Sequence, residues 1–343
     1  MNAEWQDFLR QQGAEIQNGV VQHFGDAAAE LLAARDGTVL CGLGQFGTLK
    51  ISGEEAQNFL QNLLSSDMRE VTAHHAQISS LNSPKGRMLA SFLIWNTDSD
   101  YFLHLPHSLC AAIHKRLSMY ILRAKVKIED VSAQQTCIGL AGNSAEALLQ
   151  QYFESVPQKA WEVKQTDHSS IIRVGAQRFQ INTPAQQAPA LWQQLSASAH
   201  PAGSPCWDWL NIRAGFPVIF PATQEQFVPQ MANLELIGGV SFKKGCYPGQ
   251  EIVARMQYLG KLKRRMYLAH IGGDTLPQPS DELYSADMAG QSSGMVVNAA
   301  PAPDGGYDLL AVIQISSRET QSIHLKSLQG AALVFLPLPY TLQ

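Results

Sequence analysis

The sequence predicts an α+β protein that ends in a small all-β domain. The order strand, helix, strands, helix occurs twice in the first part of the chain, which is typical of two α+β halves packed side by side. After Arg265 the helical periodicity disappears, and short apolar runs alternate with Gly, Pro and Asp turns, as in a small barrel or sandwich. At 343 residues the chain is also too long for one compact core.

The first half opens with a strand at 48–51 and a helix that Ser52 would cap, because Glu55 stands three residues later as in a capping box. Apolar residues at helical spacing continue that helix to Leu64. The remaining elements of this half are strands at 76–81, 87–95 and 101–105, a helix at 108–122 and a strand at 125–129.

The second half repeats this order before the pattern changes. Its elements are a strand at 136–140, a helix from Asn143 or Ser144 to 153, strands at 171–174 and 179–181, a helix from Thr183-Pro184 to 198, and a helix at 207–214. A loop-rich stretch follows at 215–239. The C-terminal strands are expected at 266–271, 295–298, 309–315, 323–325 and 333–336.

Composition places the chain among ordinary globular proteins, since 45% of its residues are hydrophobic. Its five cysteines are scattered and include no Cys-x-x-Cys pair, which argues against a disulfide framework or a zinc site. The first ten residues carry Glu4 and Asp7 and no apolar segment, and no run approaches the roughly 18 apolar residues that span a bilayer. We therefore expect a soluble cytoplasmic protein with no membrane partner and no resident metal.

The segment from Gly42 to Gly47 matches the dinucleotide-binding pattern G-x-G-x-x-G. That fingerprint requires a helix to begin at the loop, so that the helix N-terminus meets the pyrophosphate. Here the residues that follow indicate a strand. We therefore expect a turn between two strands at this position and no dinucleotide site.

The segment that carries the clearest chemistry is Ser241-Phe242-Lys243-Lys244-Gly245-Cys246-Tyr247-Pro248-Gly249-Gln250-Glu251. A helix start is expected after the cysteine, with Pro248 at the first helical position and Glu251 in the first turn. Ile252, Val253, Met256 and Leu259 continue this helix, and Gly260 ends it. Neighbouring cations and a helix N-terminus favour a reactive thiolate at Cys246. The alternative is a cysteine buried in the core.

The net charge of −4 argues against general nucleic-acid binding. The charge is nevertheless uneven, because Glu251 is the single acid between 243 and 265. The cations of this stretch are Lys243, Lys244, Arg255, Lys261, Lys263, Arg264 and Arg265. Either a solvated helix face and strand end, or an anion site for a polyglutamate tail, phosphate or RNA, would explain them.

Several segments resemble the YgfZ family, whose members are folate-binding proteins related to the T protein of the glycine cleavage system. The matching segments are 83–87, 214–219, 226–230, 233–234, 238–239, 241–251 and 336–340. The resemblance implies two ferredoxin-like α+β domains at 38–135 and 136–262 and a C-terminal β-barrel at 263–343 around a central folate channel, preceded by an N-terminal extension at 1–37. It also implies a role in making or repairing iron–sulfur enzymes, including enzymes that modify tRNA.

The chain departs from T proteins at two places. Their strand after the Gly turn ends in paired aspartates, one of which assists aminomethyl transfer, and the aligned residues here are Ala90 and Ser91. Neither is a carboxylate, so glycine-cleavage activity is not expected. Arg213 stands where T proteins carry a Glu that binds the pterin ring. A guanidinium only donates hydrogen bonds, so Arg213 would meet either a glutamyl carboxylate or a surface ion-pair partner.

The resemblance further implies aromatic contacts with folate. Trp207 matches a tryptophan that the family uses at the folate site, and Phe46 stands where relatives carry a second one. Ordinary core packing is the alternative for both residues. Tyr247, Gln250 and Arg255 are further candidate contacts with tetrahydrofolate or a folate derivative.

The leading hypothesis is a folate-binding accessory protein, non-catalytic or weakly catalytic, that acts with iron–sulfur client or assembly proteins. Cys246 would be its working thiol, activated by Lys243, Lys244 and the helix start. It would form a transient mixed disulfide, carry a one-carbon adduct or touch a cluster. The two alternatives are a folate-dependent aminomethyl or methyl transferase with a displaced carboxylate, and a tRNA-binding protein that uses the cations from Lys261 to Arg265.

Overall fold

The computed structural model describes residues 2–97, 100–258 and 260–342, and the predicted helix position Leu259 lies outside them. The chain forms two compact units that alternate along the sequence. The first unit runs to Leu60 and also contains Met68–Gln77 and Phe92–Trp207. The second unit contains Gln61–Asp67, Ile78–Ser91 and the chain from Asp208 onward.

The helices of the described residues carry the labels α1 to α9 in chain order. They are α1 (Ala3–Gln11), α2 (Ala27–Asp36), α3 (Ala56–Gln61), α4 (His107–Ser118), α5 (Ala145–Tyr152), α6 (Ala188–Ser196), α7 (Ser204–Arg213), α8 (Gln250–Tyr258) and α9 (Ile315–Thr320).

The strands carry the labels β1 to β19. They are β1 (Glu15–Gln17), β2 (Val20–His23), β3 (Thr38–Gly42), β4 (Phe46–Ser52), β5 (Gln77–Asn82), β6 (Met88–Thr97), β7 (Asp100–Pro106), β8 (Lys127–Asp130), β9 (Gln135–Gly142), β10 (Val163–Gln165), β11 (Ser170–Gly175), β12 (Arg178–Pro184), β13 (His200–Ala202), β14 (Arg264–Ile271), β15 (Glu282–Tyr284), β16 (Ser292–Pro301), β17 (Tyr307–Gln314), β18 (His324–Leu325) and β19 (Val334–Leu336).

Three larger sheets and one hairpin organise these strands. The strand orders are β10-β11-β12-β9-β3-β13, β5-β6-β7-β4-β8 and β18-β15-β16-β17-β14-β19, and β1 pairs with β2. In the first of these sheets β13 runs parallel to β3, and the other neighbours are antiparallel. Mixed sheets with helices, followed by an antiparallel C-terminal sheet, confirm the predicted α+β class. The expected turn between β3 and β4 is confirmed as well, because strands flank Leu43–Gln45 on both sides.

Along strand β12, apolar and polar side chains alternate between the two faces of the sheet. Phe179 and Ile181 are fully buried in an apolar core with residues of β9, α5 and α6. Arg178, Gln180 and Asn182 alternate with them and therefore point to the other face. There the ring of Trp207 lies so close to Gly139 that a Cβ at that glycine would be 2.5 Å from the ring. The sheet thus separates an apolar core from a polar face.

Two predicted helix starts are wrong, for the same physical reason. Ser52 is the last residue of β4, and the Glu55 carboxylate accepts a hydrogen bond from the backbone N–H of Lys125 at 2.7 Å, so the expected capping box does not form. Thr183 and Pro184 are the last residues of β12, and α6 begins only at Ala188. Strand pairing overrides both local capping patterns, because Ser52 pairs with Lys127 of β8 and Thr183 and Pro184 pair with β9.

The sequence pattern also missed elements at both ends of the chain. Residues 1–37 contain α1, α2 and the β1–β2 hairpin, although that region was expected only as an extension. The helix α9 lies within the C-terminal region that was expected to hold only strands. In α1, Trp5 and Leu9 are buried in the apolar core of the first unit, and the Trp5 ring meets Trp192 edge to face at 5.6 Å. The N-terminal helix is therefore part of that core.

We expect Trp5→Ala to lower the free energy of unfolding by about 3–5 kcal/mol, because the truncated side chain leaves a cavity against Trp192. Leu32→Ala on α2 is the control, since Leu32 is 41% exposed and should change stability by less than about 0.5 kcal/mol. Urea denaturation measures both variants. A loss below about 1 kcal/mol for Trp5→Ala would show that α1 is dispensable for the core.

Candidate functional site

Cys246 is the exposed member of the five cysteines. Cys41, Cys110 and Cys206 are buried and Cys137 is intermediate. Burial raises the pKa of Cys110 to about 12, which keeps that thiol protonated and unreactive. Cysteine is among the most often buried residue types, so contacts of the neighbouring residues must account for the exposed position of Cys246.

A buried lysine holds the chain immediately before this thiol. The Lys244 ammonium donates hydrogen bonds to the carbonyl oxygens of Leu64 at 2.6 Å and Ser66 at 2.8 Å, and the side chain is only 7% exposed. The same ammonium lies 5.2 Å from the ring centre of Tyr247. One residue of the segment, Ser241, also donates its backbone N–H to the carbonyl of Ser65 at 2.9 Å. Lys244 therefore anchors the segment to the chain at 64–66.

A second anchor follows the thiol. Tyr247 is buried, and its burial raises the pKa of the phenol to about 12. Gly249 has a φ of +78°, and a Cβ there would lie 2.4 Å from the carbonyl oxygen of Ser83 and 2.5 Å from the Cα of Gly86. Only glycine permits this close approach of the two turns. The helix α8 then begins at Gln250, so the expected start at Pro248 is wrong by two residues.

The two anchors leave Gly245 and Cys246 exposed between them. Lys243 is also exposed, whereas Lys244 is committed to the carbonyls of Leu64 and Ser66. The two lysines thus have different roles: Lys244 anchors the loop from within, and Lys243 is a solvent-exposed cation three residues before Cys246 in the sequence. Glu251 is exposed in the first turn of α8, and Gln250 is partly buried.

The positions aligned with the paired aspartates of T proteins belong to the interior of the second unit. Ala90 is fully buried. The Ser91 hydroxyl donates to the carbonyl of Pro217 at 3.1 Å and accepts from the N–H of Ile219 at 3.2 Å. Ser91 therefore holds the 217–219 segment against β6, and this position offers a structural link instead of a proton acceptor.

Arg213 has a partner within the protein. Its guanidinium lies 3.5 Å from the Asp308 carboxylate, which is buried and also accepts hydrogen bonds from Trp209 Nε1 at 2.9 Å and contacts His270 Nδ1 at 2.9 Å. Arg213 was expected to meet either a glutamyl carboxylate or a surface ion-pair partner, and here it forms an ion pair with Asp308. Its side chain remains 40% exposed, so the outer face of the guanidinium is open to solvent.

The basic run after α8 is not uniform. Arg265 pairs with Glu235 and donates to the carbonyl of Gln230 at 2.9 Å, and it is only 11% exposed. Lys261 and Lys263 are exposed, as is Arg255 on α8. Tyr258 at the end of α8 is 68% exposed and meets Phe242 edge to face at 6.1 Å. The surface cations are therefore Arg255, Lys261 and Lys263, while Arg265 is a structural residue.

The two aromatic candidates lie in the first unit. Trp207 is 2% exposed, its ring rests on Gly139, and the Arg178 guanidinium lies 5.4 Å from its ring centre. Burial lowers the pKa of Arg178 to about 10. Phe46 is partly exposed and packs against the ring of His104 at 4.8 Å.

Comparison with known proteins identifies the family. The family model for the GCVT N-terminal domain matches residues 6–244. A curated protein from Colwellia psychrerythraea, named tRNA-modifying protein YgfZ, is 31% identical over 91% of this chain and 96% of its own length. The protein of the same name from Escherichia coli O157:H7 is 30% identical over the same shares. The chain belongs to the YgfZ family.

The fold of this YgfZ family member is that of an aminomethyltransferase. The crystal structure of glycine cleavage system aminomethyltransferase T from Bartonella henselae has a TM-score of 0.77 over 98% of this chain and 96% of that chain, at 14% sequence identity. At that identity the likeness shows the fold alone. The T-protein-like fold that the sequence implied is thereby confirmed.

Two further observations on the described residues concern membranes and metal ions. No helix in the described ranges has the length and apolarity to cross a membrane. Nor do three or more His, Cys, Asp or Glu side chains gather there in an arrangement that could hold a metal ion.

Sequence reasoning missed Asp308 and His104, which prove central to two clusters. Asp308 had a usable signal, because it is an acid within the apolar strand β17 and buried acids need partners. His104 had none, since its neighbours Phe46 and Thr48 come from a strand more than fifty residues away.

We expect Lys244→Met to lower the free energy of unfolding by roughly 1–3 kcal/mol, because it leaves two buried carbonyls without their donor. Lys243→Met is the matched control, since Lys243 is exposed and makes no buried contact through its ammonium. Chemical denaturation of both variants measures the difference. Equal stability of the two variants would contradict the anchoring role.

Proposed function

We propose that this protein is a folate-binding accessory factor that supports the synthesis or repair of iron–sulfur enzymes, including tRNA-modifying ones, through Cys246. The observation that carries the proposal is the exposed thiol held between two buried anchors, Lys244 and Tyr247. A loop that is fixed on both sides presents its tip in one conformation, which suits a residue that must meet a partner in a defined geometry.

The chemistry proposed for Cys246 is thiolate chemistry at a client protein. Reactive thiols are exposed and lie near cations, and Lys243 is an exposed cation three residues before Cys246 in the sequence. Iron–sulfur clusters generally take four thiolate ligands, so one thiol is insufficient to hold a cluster alone. Cys246 would therefore act on a cluster, or on a cysteine, that belongs to the client.

The folate part of the proposal rests on aromatic and cationic groups. Phe46 is partly exposed and offers a flat ring of the kind that stacks on a pterin or aminobenzoyl group, whereas Trp207 is 2% exposed and packs between Gly139 and Arg178, so its contribution would be to the shape of the site. Arg213 of the second unit pairs with Asp308 and has a side chain that is 40% exposed, so it is a separate candidate for a carboxylate ligand. Tyr247 is buried in the anchor, so any contribution from it would be to loop position.

Aminomethyl transfer is the weaker alternative. The buried Ala90 and the doubly bonded Ser91 leave no carboxylate where T proteins have theirs, and a general base must reach the proton that it removes. We therefore place the function of the fold in binding and in the thiol segment, with no transferase chemistry.

The central test is complementation of a strain that lacks this protein. We expect Cys246→Ala to lose at least most of the rescue of iron–sulfur enzyme activity, with unchanged protein level and thermal stability, since an exposed side chain contributes little to folding. Cys110→Ala, which changes a buried cysteine whose raised pKa keeps it unreactive, is the control and should rescue fully. Full rescue by Cys246→Ala would remove the thiol from the mechanism.

RNA binding is a second candidate, favoured by the exposed cations Arg255, Lys261 and Lys263 and the exposed ring of Tyr258. Cations that track a phosphate backbone and an aromatic ring that stacks on a base are the usual elements of single-strand recognition. The relatives named tRNA-modifying protein agree with such a partner.

For this candidate we expect tRNA affinity to fall steeply with salt, and Lys261→Gln and Lys263→Gln each to reduce the slope of log K against log salt by about 1. Lys159→Gln on the first unit is an exposed control that should leave the slope unchanged. Filter binding at several salt concentrations measures the slope. A tRNA affinity that does not change with salt concentration would exclude a role for these cations.

A further inference from the structure

The connection between α4 and β8 exposes a patch of large apolar side chains on the first unit. We call residues 119–123 the exposed turn. Within it Leu122 is 90% exposed, Met119 is 61% exposed and Tyr120 is 39% exposed. Single apolar side chains at a surface are normal, whereas several in one short segment form a patch of the kind that marks an interaction site.

Leu122 also has a backbone conformation that leucine rarely adopts. The backbone N–H of Ala124 donates to the carbonyl of Ile121 at 2.7 Å, which closes a β-turn with Leu122 and Arg123 at its tip. Leu122 has a φ of +47°, and such tip positions normally carry Gly, Asn or Asp. Leucine here costs conformational energy and leaves an apolar side chain in water. Because folding gains from neither, the side chain points to a function.

The exposed turn is fixed at both ends. The backbone N–H of Tyr120 donates to the carbonyl of Leu117 at 2.9 Å. On the other side, the backbone N–H of Lys125 donates to the Glu55 carboxylate at 2.7 Å, and the Lys125 ammonium pairs with Glu54 at 2.7 Å. The turn is thus already ordered, so a partner that binds it does not have to offset the entropy of ordering a loose loop.

The charge around the exposed turn is positive, although the whole protein has a net charge of −4. Between residues 101 and 128 the sequence has no Asp or Glu, and its cations are Lys115, Arg116, Arg123, Lys125 and Lys127. Lys125 and Lys127 have carboxylate partners, whereas the other three form no ion pair with any residue that the structure describes. Lys115 and Arg116 also suit the C-terminal end of α4, but Arg123 lies beyond that helix.

We propose that the exposed turn docks into an apolar recess on an acidic protein. Leu122 is the side chain that enters the recess, and Arg123, with Lys115 and Arg116, faces carboxylates at its rim. Burial of the leucine supplies affinity, and the complementary charges set the orientation and the rate of association. The inference goes beyond the proposed function, because it depends on neither Cys246 nor folate.

The charge and the shape of the tip favour this occupant over three others. A second copy of the chain in a symmetric contact would place the same cations opposite each other, which is repulsive. One short turn offers little apolar area for insertion into an anionic membrane. RNA recognition uses cations and stacking rings, and it gives the leucine at the tip no role.

The decisive variant is Leu122→Asn, which removes the apolar tip and supplies a residue that tolerates a positive φ. The free protein should be as stable as wild type or more stable, whereas affinity for the partner should fall at least about tenfold, as for a central interface residue. A residue with only a structural role would not change stability and affinity in opposite directions. Leu32→Asn is the matched control, because Leu32 is an exposed leucine on α2 of the same unit, and it should bind normally.

The charge is tested separately with Arg123→Glu. This variant should bind the partner more weakly and associate more slowly, because the attraction at the rim becomes repulsion. Lys159→Glu makes the same change in net charge at another exposed cation of the first unit, and it should leave binding unchanged. Thermal denaturation checks that all four variants remain folded.

The partner is found by placing a photo-crosslinking amino acid at position 120 of the full chain in cells, with position 32 as the control site. Proteins that crosslink from position 120 alone are purified and titrated by calorimetry against wild type and the four variants. An acidic protein that binds wild type, loses affinity for Leu122→Asn and Arg123→Glu, and regains affinity for Arg123→Glu when its own crosslinked acidic site is changed to lysine supports the inference.

The contrary outcomes are equally distinct. No crosslink specific to position 120, or equal affinity of the partner for wild type and Leu122→Asn, overturns the inference. Crosslinking to RNA, or cosedimentation of wild type but not Leu122→Asn with phosphatidylglycerol vesicles, assigns the turn to a different occupant and overturns it as well. Each of these results leaves the roles proposed for Cys246 and folate standing, since neither residue nor ligand enters the measurement.

Discussion

The buried ammonium of Lys244 is the interaction on which the candidate site depends. Removing a charge from water is costly unless it is paired or hydrogen-bonded, and here two backbone carbonyls, from Leu64 and Ser66, accept from it. The carbonyl of Leu64 lies 180 residues before Lys244 in the chain, so the lysine fastens the loop to a distant part of the sequence. Because Tyr247 and Gly249 are fixed as well, Cys246 is held in a defined position at the protein surface.

Ala90, Ser91 and Arg213 are likewise held by contacts within the second unit. Near the start of β6, Ala90 is fully buried and the Ser91 hydroxyl holds the neighbouring 217–219 segment through two hydrogen bonds. Arg213 is held by Asp308, whose carboxylate also contacts Trp209 and His270. These residues are thus committed to internal contacts, while the exposed thiol of Cys246 lies elsewhere in the second unit.

Much of the fold followed from sequence patterns, and the failures have a common cause. Strands of alternating or continuous apolar residues, such as β9, β12 and β17, were located within a few residues, because burial on one or both faces dictates their composition. Ser52 and Thr183-Pro184 failed because capping signals are local, whereas the pairing that keeps these residues in strands involves partners far along the chain. The buried Trp5 was missed for the same reason, since its partner Trp192 lies in another helix.

The sequence by itself determined the α+β class, the family and the segment around Cys246, because these depend on residue types in a fixed order. The tertiary structure decided which cations are buried as anchors and which are exposed to solvent. Lys244 and Arg265 became internal anchors while Lys243, Lys261 and Lys263 stayed at the surface, and only burial distinguishes them. It also brought His104 and Thr136 to one pocket, where His104 Nε2 and Thr136 Oγ1 have no hydrogen-bond partner among the described residues, since strands that are distant in sequence meet there.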